Sequence, residues 1–382
     1  MLTSTGPNNQ LSAEPSGRCL RAVRFFTGDM RQCGEWVKRQ VLIIQLLDGI
    51  LRGTAQVMFV SNPVSGLLIL TGLFLQNPWW VLNSLLGTFV STVSAILLRQ
   101  NRSDAIFAGL HGYNGTLVGM LMAAFSSKGN WYWWLLFPNV FMSMLCPVIS
   151  SALSSIMSKW DLPIFTLPFN ILTCLHIAAT GTTHPYFPEA CIKSHFTHTF
   201  EFSQRFFFFS QLFLSVPVGV GQVFGCDSPW TSCLVLLALL LCSPAICIHA
   251  LLGSLKFGAG LALAAPLEDV YAGLWGYNSV LSCIAIGGFF YGLTWQTHIL
   301  SLICALFCAY VTSFALPACT WPFCLSILIF LLLSSENPAI CRLPLSAVSY
   351  PEENRHYLRQ LRMSEKALSS CKGEQTPDRM EG

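Results

Sequence analysis

The sequence predicts an all-α polytopic membrane protein built of two inverted repeats. Each repeat has five transmembrane helices plus one re-entrant half-helix, giving ten crossings in total. Three observations carry this expectation: a composition too apolar for water, apolar runs of two distinct lengths, and an internal repeat with an odd number of spans. Hydrophobic residues make up 53% of the 382 and charged residues 10%, against roughly a quarter charged in a soluble domain. Mean hydropathy is +0.56. So few charges do not cover the surface of a soluble chain this long, so the implied surroundings are a lipid bilayer. A net charge of +3 gives no basis for a nucleic-acid partner.

Charge placement orients the chain. Arg18, Arg21, Arg24, Arg31, Lys38 and Arg39 precede the first apolar run, and Arg342, Arg355, Arg359, Arg362, Lys366, Lys372 and Arg379 follow the last. By the positive-inside bias both termini are expected to be cytoplasmic, which requires an even number of crossings. The polar start, with "GPNNQ" and "EPSG", has no cleavable signal pattern. The expected layout is a cytoplasmic N-terminal segment (1–39), a first repeat (40–180), an extracellular loop (181–205), a second repeat (206–334) and a cytoplasmic tail (335–382).

The runs follow in order. Long ones lie near 41–60, 79–98, 105–125, 132–156 and 162–180, with a short one at 64–76 between "SNP" and "QNP". A helix of thirteen residues reaches about 20 Å, short of a core of about 30 Å, so this run reads as re-entrant. The second half repeats the series near 206–225, 244–262, 269–292, 297–314 and 316–334. Its short run, 230–242, opens at the proline of "CDSPW". "RQNRSD" and "MSKWD" are expected inside, and "GTTHPYFPEACIKSHFTHTFEFSQ" outside. The sequons at Asn101 and Asn114 fall in a cytoplasmic loop and a span, so neither is expected to carry sugar.

The halves are copies. Gly53, Gln56, Pro63 and Gly87 match Gly219, Gln222, Pro229 and Gly253 at an offset of 166, and "AGLHGYN" matches "AGLWGYN" at 164. "LPIFTLPF" (162–169) matches "LPACTWPF" (316–323) at 154. An odd span count per copy turns the second copy upside down, and inverted repeats build a shared site near the midplane from broken helices. Prolines break helices at about 3 kcal/mol each and free carbonyls. The doubled motif is therefore expected where the two halves meet.

The chemistry at that place is neutral. Asp48 and Arg52 are spaced i,i+4 and read as a pair that satisfies itself. Glu268 and Asp269 suit the first turn of a helix, Lys256 is isolated, and His176, His249 and His298 read as scattered packing residues. Most of the sixteen cysteines lie inside apolar runs, where Cys acts as a small hydrophobe. Only Cys191 falls in the outer loop, so no disulfide is expected. No C-x-x-C pair or zinc spacing occurs, so no metal and no cofactor are expected. What remains near the breaks is Gln56, Asn62, Thr166, Gln222 and Thr320, with Phe59, Tyr113, Phe224 and Tyr277. Uncharged acceptors beside flat rings suit a small, planar, neutral solute rich in N–H donors, moving without ion coupling.

At these residues the chain resembles the urea transporter family of vertebrate kidney and erythrocyte type, over roughly Phe26 to Arg355. The pieces are "TGDM", "NPVSGLLIL", "QNPWW", "KWDLPIFTLPFN", "PVGVGQVFGCD", "GLWGYNS", "LTWQTH", "LPACTWPFCL" and "YPEENR". The resemblance implies a plasma-membrane homotrimer that passes urea by facilitated diffusion, with one pore per subunit between the repeats. It implies Thr166 and Thr320 at the centre and Leu117 and Leu281 as an apolar constriction. Gln56 with Phe59 and Gln222 with Phe224 would form the mouths, with Tyr113 and Tyr277 as partner rings.

Two alternatives share parts of this pattern. An aquaporin-like channel shares half-helices and "NPV", but the second copy reads "DSP" and each copy has five spans rather than three. An intramembrane enzyme would need a nucleophile or metal constellation, and none of G-x-S-x-G, H-E-x-x-H or facing Asp pairs occurs. The second copy is also shortened. Asn114 to Leu162 is 48 residues and Asn278 to Leu316 is 38. The helix near 297–313 is expected to span with some strain, keeping Thr320 opposite Thr166.

Overall fold

The structure is a computed structural model that describes residues 26–98, 108–126, 129–180, 204–255, 270–312 and 319–374. The expectations for Arg18, Arg21, Arg24, the loops 99–107 and 181–203, Cys191, Lys256, Glu268 and Asp269 lie outside these residues. Every named element among the described residues is helical, with an isolated bridge between Tyr291 and Arg342.

The first half contains α1 (Arg31–Val37), α2 (Leu42–Gln56), α3 (Pro63–Gln76), α4 (Pro78–Leu97), α5 (Tyr113–Ala124), α6 (Leu136–Met157) and α7 (Leu167–Thr180). The second contains α8 (Gln204–Gly221), α9 (Pro229–Cys242), α10 (Pro244–Ser254), α11 (Tyr277–Ile284), α12 (Trp295–Thr312) and α13 (Trp321–Leu331), followed by α14 (Pro351–Glu374). By length and composition, α4, the stretch around α6 (Trp133–Trp160) and α12 can each cross a membrane alone. Segments 213–224 and 229–242 form a pair bent by 76°, and five shorter apolar helices accompany them. Large apolar side chains such as Leu42, Ile43, Phe74, Leu75, Phe137 and Phe141 lie exposed on the outside. That surface belongs in lipid. The protein is a polytopic helical membrane protein.

The breaks follow from local chemistry. α3, α4, α9 and α10 each begin with proline at the first helical position, where the missing N–H costs nothing. The Asn62 side chain accepts from Val64 N at 2.9 Å and Ser65 N at 3.2 Å, capping α3 for about 1 kcal/mol. Asn77 caps α4 through Trp79 N, and Ser243 caps α10 through Ile246 N. In the described parts of the runs predicted at 105–125 and 269–292, a turn over 108–112 and 272–276 precedes the helices that start at Tyr113 and Tyr277. Before each, a glycine in left-handed geometry turns the chain: Gly109 at φ +82° and Gly273 at φ +74°. A Cβ on Gly109 would run into the Arg52–Gly53 backbone, and one on Gly273 into Gly219. The repeated glycines are therefore the points where each copy's turn touches its own first helix.

The two short helices α3 and α9 lie against each other. Ser65 Oγ donates to Ala238 O at 2.6 Å, and Thr231 Oγ1 donates to Gly72 O at 3.2 Å. Ser65 and Thr231 are 166 residues apart, as are Gly72 and Ala238. Residue i of one half thus bonds j′ of the other while i′ bonds j, the pattern a two-fold relation produces.

The segments before α2 and after α13 meet on one face. Arg31 pairs with Glu353 at 2.6 Å, and Ser349 Oγ lies 2.6 Å from Glu353 and 3.1 Å from Asp29. Burial pushes the Asp29 carboxyl up to about 6, against the pull of the Ser349 hydrogen bond and of Arg31 and Arg52. Asp48 and Arg52 do pair, at 2.7 Å from Nε, while Arg52 Nη2 stays buried without a hydrogen-bond partner. The guanidinium also donates from Nη1 to the Asp29 carbonyl at 2.8 Å and to the Ser61 carbonyl, tying α2 to the entry of α3.

Gly109→Ala is expected to lower stability by about 2 kcal/mol or more, since it adds a Cβ in a left-handed backbone against buried main chain. Gly129 has φ +72° but nothing within 4 Å of its Cβ position, so Gly129→Ala should cost about 1 kcal/mol. Thermal melts of the two variants in detergent check the order.

Candidate functional site

The doubled proline–threonine motif ends at the entries of α7 and α13, and these entries meet. The hydroxyl oxygens of Thr166 and Thr320 lie 2.5 Å apart, and both residues are buried. Thr320 donates its hydroxyl and its backbone N–H to Asn170 Oδ1, each at 2.9 Å. With the Thr320 proton committed there, Thr166 supplies the proton between the threonines. Cys324 Sγ lies 3.3 Å from Thr166 Oγ1, and Asn170 Nδ2 donates to Cys324 Sγ at 3.5 Å. The ring closes as Cys324 S–H to Thr166, Thr166 to Thr320, Thr320 to Asn170, and Asn170 back to Cys324. Each threonine oxygen has given its one proton and accepted one, so its remaining lone pair is an acceptor. The ring thus fixes the free valence of both hydroxyls as oxygen acceptors without charge.

The carbonyls just before the threonines are held in parallel ways. Phe165 O accepts from Tyr113 Oη at 2.5 Å and Asn114 Nδ2 at 3.4 Å. Cys319 O accepts from Tyr277 Oη at 3.2 Å and Asn278 Nδ2 at 3.4 Å. Asn114 Oδ1 accepts from Phe169 N at 3.2 Å, whereas Asn278 Oδ1 is buried without a hydrogen-bond partner. The parallel is therefore incomplete in the shorter half. Residues 313–318 lie outside the described set, yet Thr320 still faces Thr166.

The remaining sequence-derived positions surround this centre. Leu117 and Leu281 are buried on α5 and α11, one turn after Tyr113 and Tyr277. Gln56 ends α2 half-buried, and Gln222 Nε2 donates to Ala272 O at 2.8 Å. Phe224 is fully buried in the turn that closes α8. Phe59 adopts φ +62° and Phe165 φ +48°, a left-handed backbone that costs about 1–3 kcal/mol per non-glycine residue. At the position matching Phe59, 166 residues on, stands Gly225 at φ +66°. The bend is therefore shared, while the ring sits one residue earlier, at Phe224.

The rings facing Phe59 are not the tyrosines. Phe289 lies 4.9 Å away between centroids, Phe290 and Phe323 6.0 Å, and Phe165 6.4 Å. Phe165 in turn packs on Phe323 at 5.2 Å and Phe290 at 5.5 Å. Tyr113 and Tyr277 instead work through their hydroxyls, on the two carbonyls above. Sequence reasoning missed Asn170, Cys324, Phe289 and Phe290. The first two stand four residues after Thr166 and Thr320, so the i,i+4 rule would have found them. His249 and His298, read as scattered, meet at 3.2 Å between Nε2 and Nδ1. His249 Nδ1 lies 2.8 Å from Ala245 O. The described residues contain no group of three or more metal-ligating side chains.

Apolar helices closed round a neutral, hydroxyl-bearing centre define a membrane transporter of the broken-helix class. The family model described as Urea transporter matches residues 47–335. Urea transporter 1 of Ovis aries is 52% identical over 364 residues, covering 93% of this chain and 94% of the sheep protein. Urea transporter 1 of Rattus norvegicus is 54% identical over 356 residues, covering 90% and 91%. The Mus musculus protein of the same name is 53% identical over 365 residues, covering 92% and 94%. The chain belongs to the urea transporter family, a family of transporters and not of enzymes.

Asn170→Leu removes the shared acceptor and leaves the Thr320 amide proton buried and unpaired, while the Thr320 hydroxyl can turn to Thr166. A loss of about 1–3 kcal/mol is expected from the orphaned donor, read as a lowered melting temperature in detergent.

Proposed function

We propose that each subunit carries urea passively across the plasma membrane along a path through the Thr166–Thr320 centre. The observation that carries this reading is the hydroxyl ring, which turns both threonines into uncharged acceptors inside a chain of the urea transporter family. Urea is planar and offers four N–H donors, so hydroxyl and carbonyl oxygens can replace its hydration shell at little net cost. An ion finds no charge there to offset its far larger desolvation. On this reading Gln56 with Phe59 and Gln222 with Phe224 form the mouths, and Leu117 and Leu281 narrow the path. Tyr113 and Tyr277 hold the Phe165 and Cys319 carbonyls that flank it.

The proposed architecture is two inverted repeats, 40–180 and 206–334, with five spans and one re-entrant helix each and ten crossings in all. The reciprocal bonds between α3 and α9 support a two-fold relation between them. Both termini are assigned to the cytoplasm, with the loop 181–205 outside. The contact of Asp29 and Arg31 with Ser349 and Glu353 supports a shared side for the two ends, and therefore an even crossing number. A homotrimer is proposed. An apolar groove of about 740 Å³ lined by Leu86, Trp133, Phe137, Phe141 and Met144 fits burial against lipid or a neighbouring copy.

The test is stopped-flow urea efflux from proteoliposomes. Flux is expected to follow the urea gradient and to ignore sodium and proton gradients. Thr320→Val keeps the shape but removes the donor to Asn170 and the acceptor for urea. A fall of at least about tenfold at matched protein is expected, from about 1–3 kcal/mol of lost hydrogen bonding. Unchanged flux would remove Thr320 from the path.

A further inference from the structure

We propose that Asn354, in the C-terminal segment, is a positioning residue that sets the aromatic wall between the Phe59 mouth and the threonine pair, and thereby the size of solute that passes. The inference rests on the urea-permeation reading above and goes beyond it by assigning selectivity to a residue outside the spanning helices.

α11 does not run on into a long helix. The chain leaves helical geometry at Gly287 (φ −77°, ψ 37°) and Gly288 (φ +116°), and the next two residues are Phe289 and Phe290. A break of this kind frees carbonyls that need donors where water is scarce. Asn354 Nδ2 lies 2.9 Å from Gly288 O, 2.8 Å from Phe289 O and 2.7 Å from Ser349 O. Its Oδ1 accepts from Ser349 N at 2.8 Å, and the residue is fully buried. The carbonyl that follows, Phe290 O, accepts from Leu343 N at 2.8 Å, and Gly292 N donates to Cys341 O at 2.9 Å. Three successive carbonyls on the ring-bearing segment therefore lie in hydrogen-bond reach of the C-terminal segment, two of them sharing the Asn354 amide, whose two N–H groups also serve Ser349 O.

The rings so held stand on the proposed path. Phe289 packs on Phe59 at 4.9 Å, and Phe290 packs on Phe165 at 5.5 Å. Phe165 directly precedes Thr166. A rigid wall passes a flat, narrow molecule and rejects a wider one, because the rings must be displaced to admit it. Asn354→Ala removes both donors while leaving every ring in the chain.

The experiment measures N-methylurea and urea flux in proteoliposomes for the full chain and its variants. Asn354→Ala is expected to raise the ratio of N-methylurea to urea flux by about threefold, the size of one lost aromatic contact. Phe289→Leu, which leaves Asn354 in place, should raise the same ratio, and Asn354→Asp, which keeps the acceptor for Ser349 N but removes both donors, serves if Asn354→Ala does not fold. The double variant should add little to either, since both act on the same wall. A purely structural role for Asn354 would scale both fluxes together, so an unchanged ratio in the folded Asn354 variant overturns the inference even if total flux or melting temperature falls. Urea flux by the unmodified protein with an unchanged ratio in the variants sinks this inference alone. Absence of urea flux in the unmodified protein removes the proposed function and this inference with it.

Discussion

A helix broken inside a bilayer leaves amides and carbonyls that no water satisfies, and each one left unpaired costs several kcal/mol. That constraint organises the whole of this protein. The chain breaks at Asn62–Pro63, at Phe165–Thr166, at Gly287–Gly288 and at Cys319–Thr320, and at each place a named side chain takes up the freed groups. Asn62 caps α3 and donates to Phe26 O and Gly28 O. Tyr113 and Asn114 take Phe165 O, Tyr277 and Asn278 take Cys319 O, and Asn354 takes Gly288 O and Phe289 O. At the two threonine breaks these side chains hold the carbonyls that flank the polar centre.

The centre gains its chemistry from this economy of partners. Once Thr320 gives its proton to Asn170, the direction of the threonine pair is settled, and both hydroxyls face any newcomer as acceptors. A charged residue at this place would bind an ion or hold a solute too firmly, and a methyl would offer nothing to an N–H donor. Neutral acceptors at several points make weak successive sites, which suits fast passage. The buried Asp48–Arg52 pair stands apart from this centre. Its bonds run to the Asp29 and Ser61 carbonyls, so it anchors the entry of α3 and leaves the threonine centre uncharged.

Much of this was legible in the sequence, and what was not has a physical reason. The doubled motif announced where the halves meet because a proline in an apolar run has a cost that only a structural role offsets. The Asn–Pro and Ser–Pro pairs gave the starts of α3, α4 and α9, since a proline at the first helical position is a local signal. Run length overstated the helices near 105–125 and 269–292. A turn packed against protein inside a membrane can be apolar, so hydropathy does not mark it, and only the glycines at 109 and 273 do. Partners from other elements were the least visible. Nothing in the spacing says that Phe289 meets Phe59, or that His249 meets His298, because those contacts depend on how helices pack. The tyrosines were read by their rings, and the hydrogen bonds from their hydroxyls to the Phe165 and Cys319 carbonyls had no signal in the spacing. Asn170 and Cys324 were within reach, one helical turn beyond each threonine.

The central claim is that urea passes alongside the bonded Thr166–Thr320 pair, donating to its acceptor oxygens. A crystal structure of the protein soaked in selenourea tests it most directly, because the selenium marks the solute by anomalous scattering. The account predicts a selenium peak beside the threonine pair, within hydrogen-bonding reach of both hydroxyls and between the Phe59 and Phe224 ends. A peak confined to the outer surface, with the Thr166–Thr320 bond and the surrounding rings unmoved at saturating solute, would contradict it.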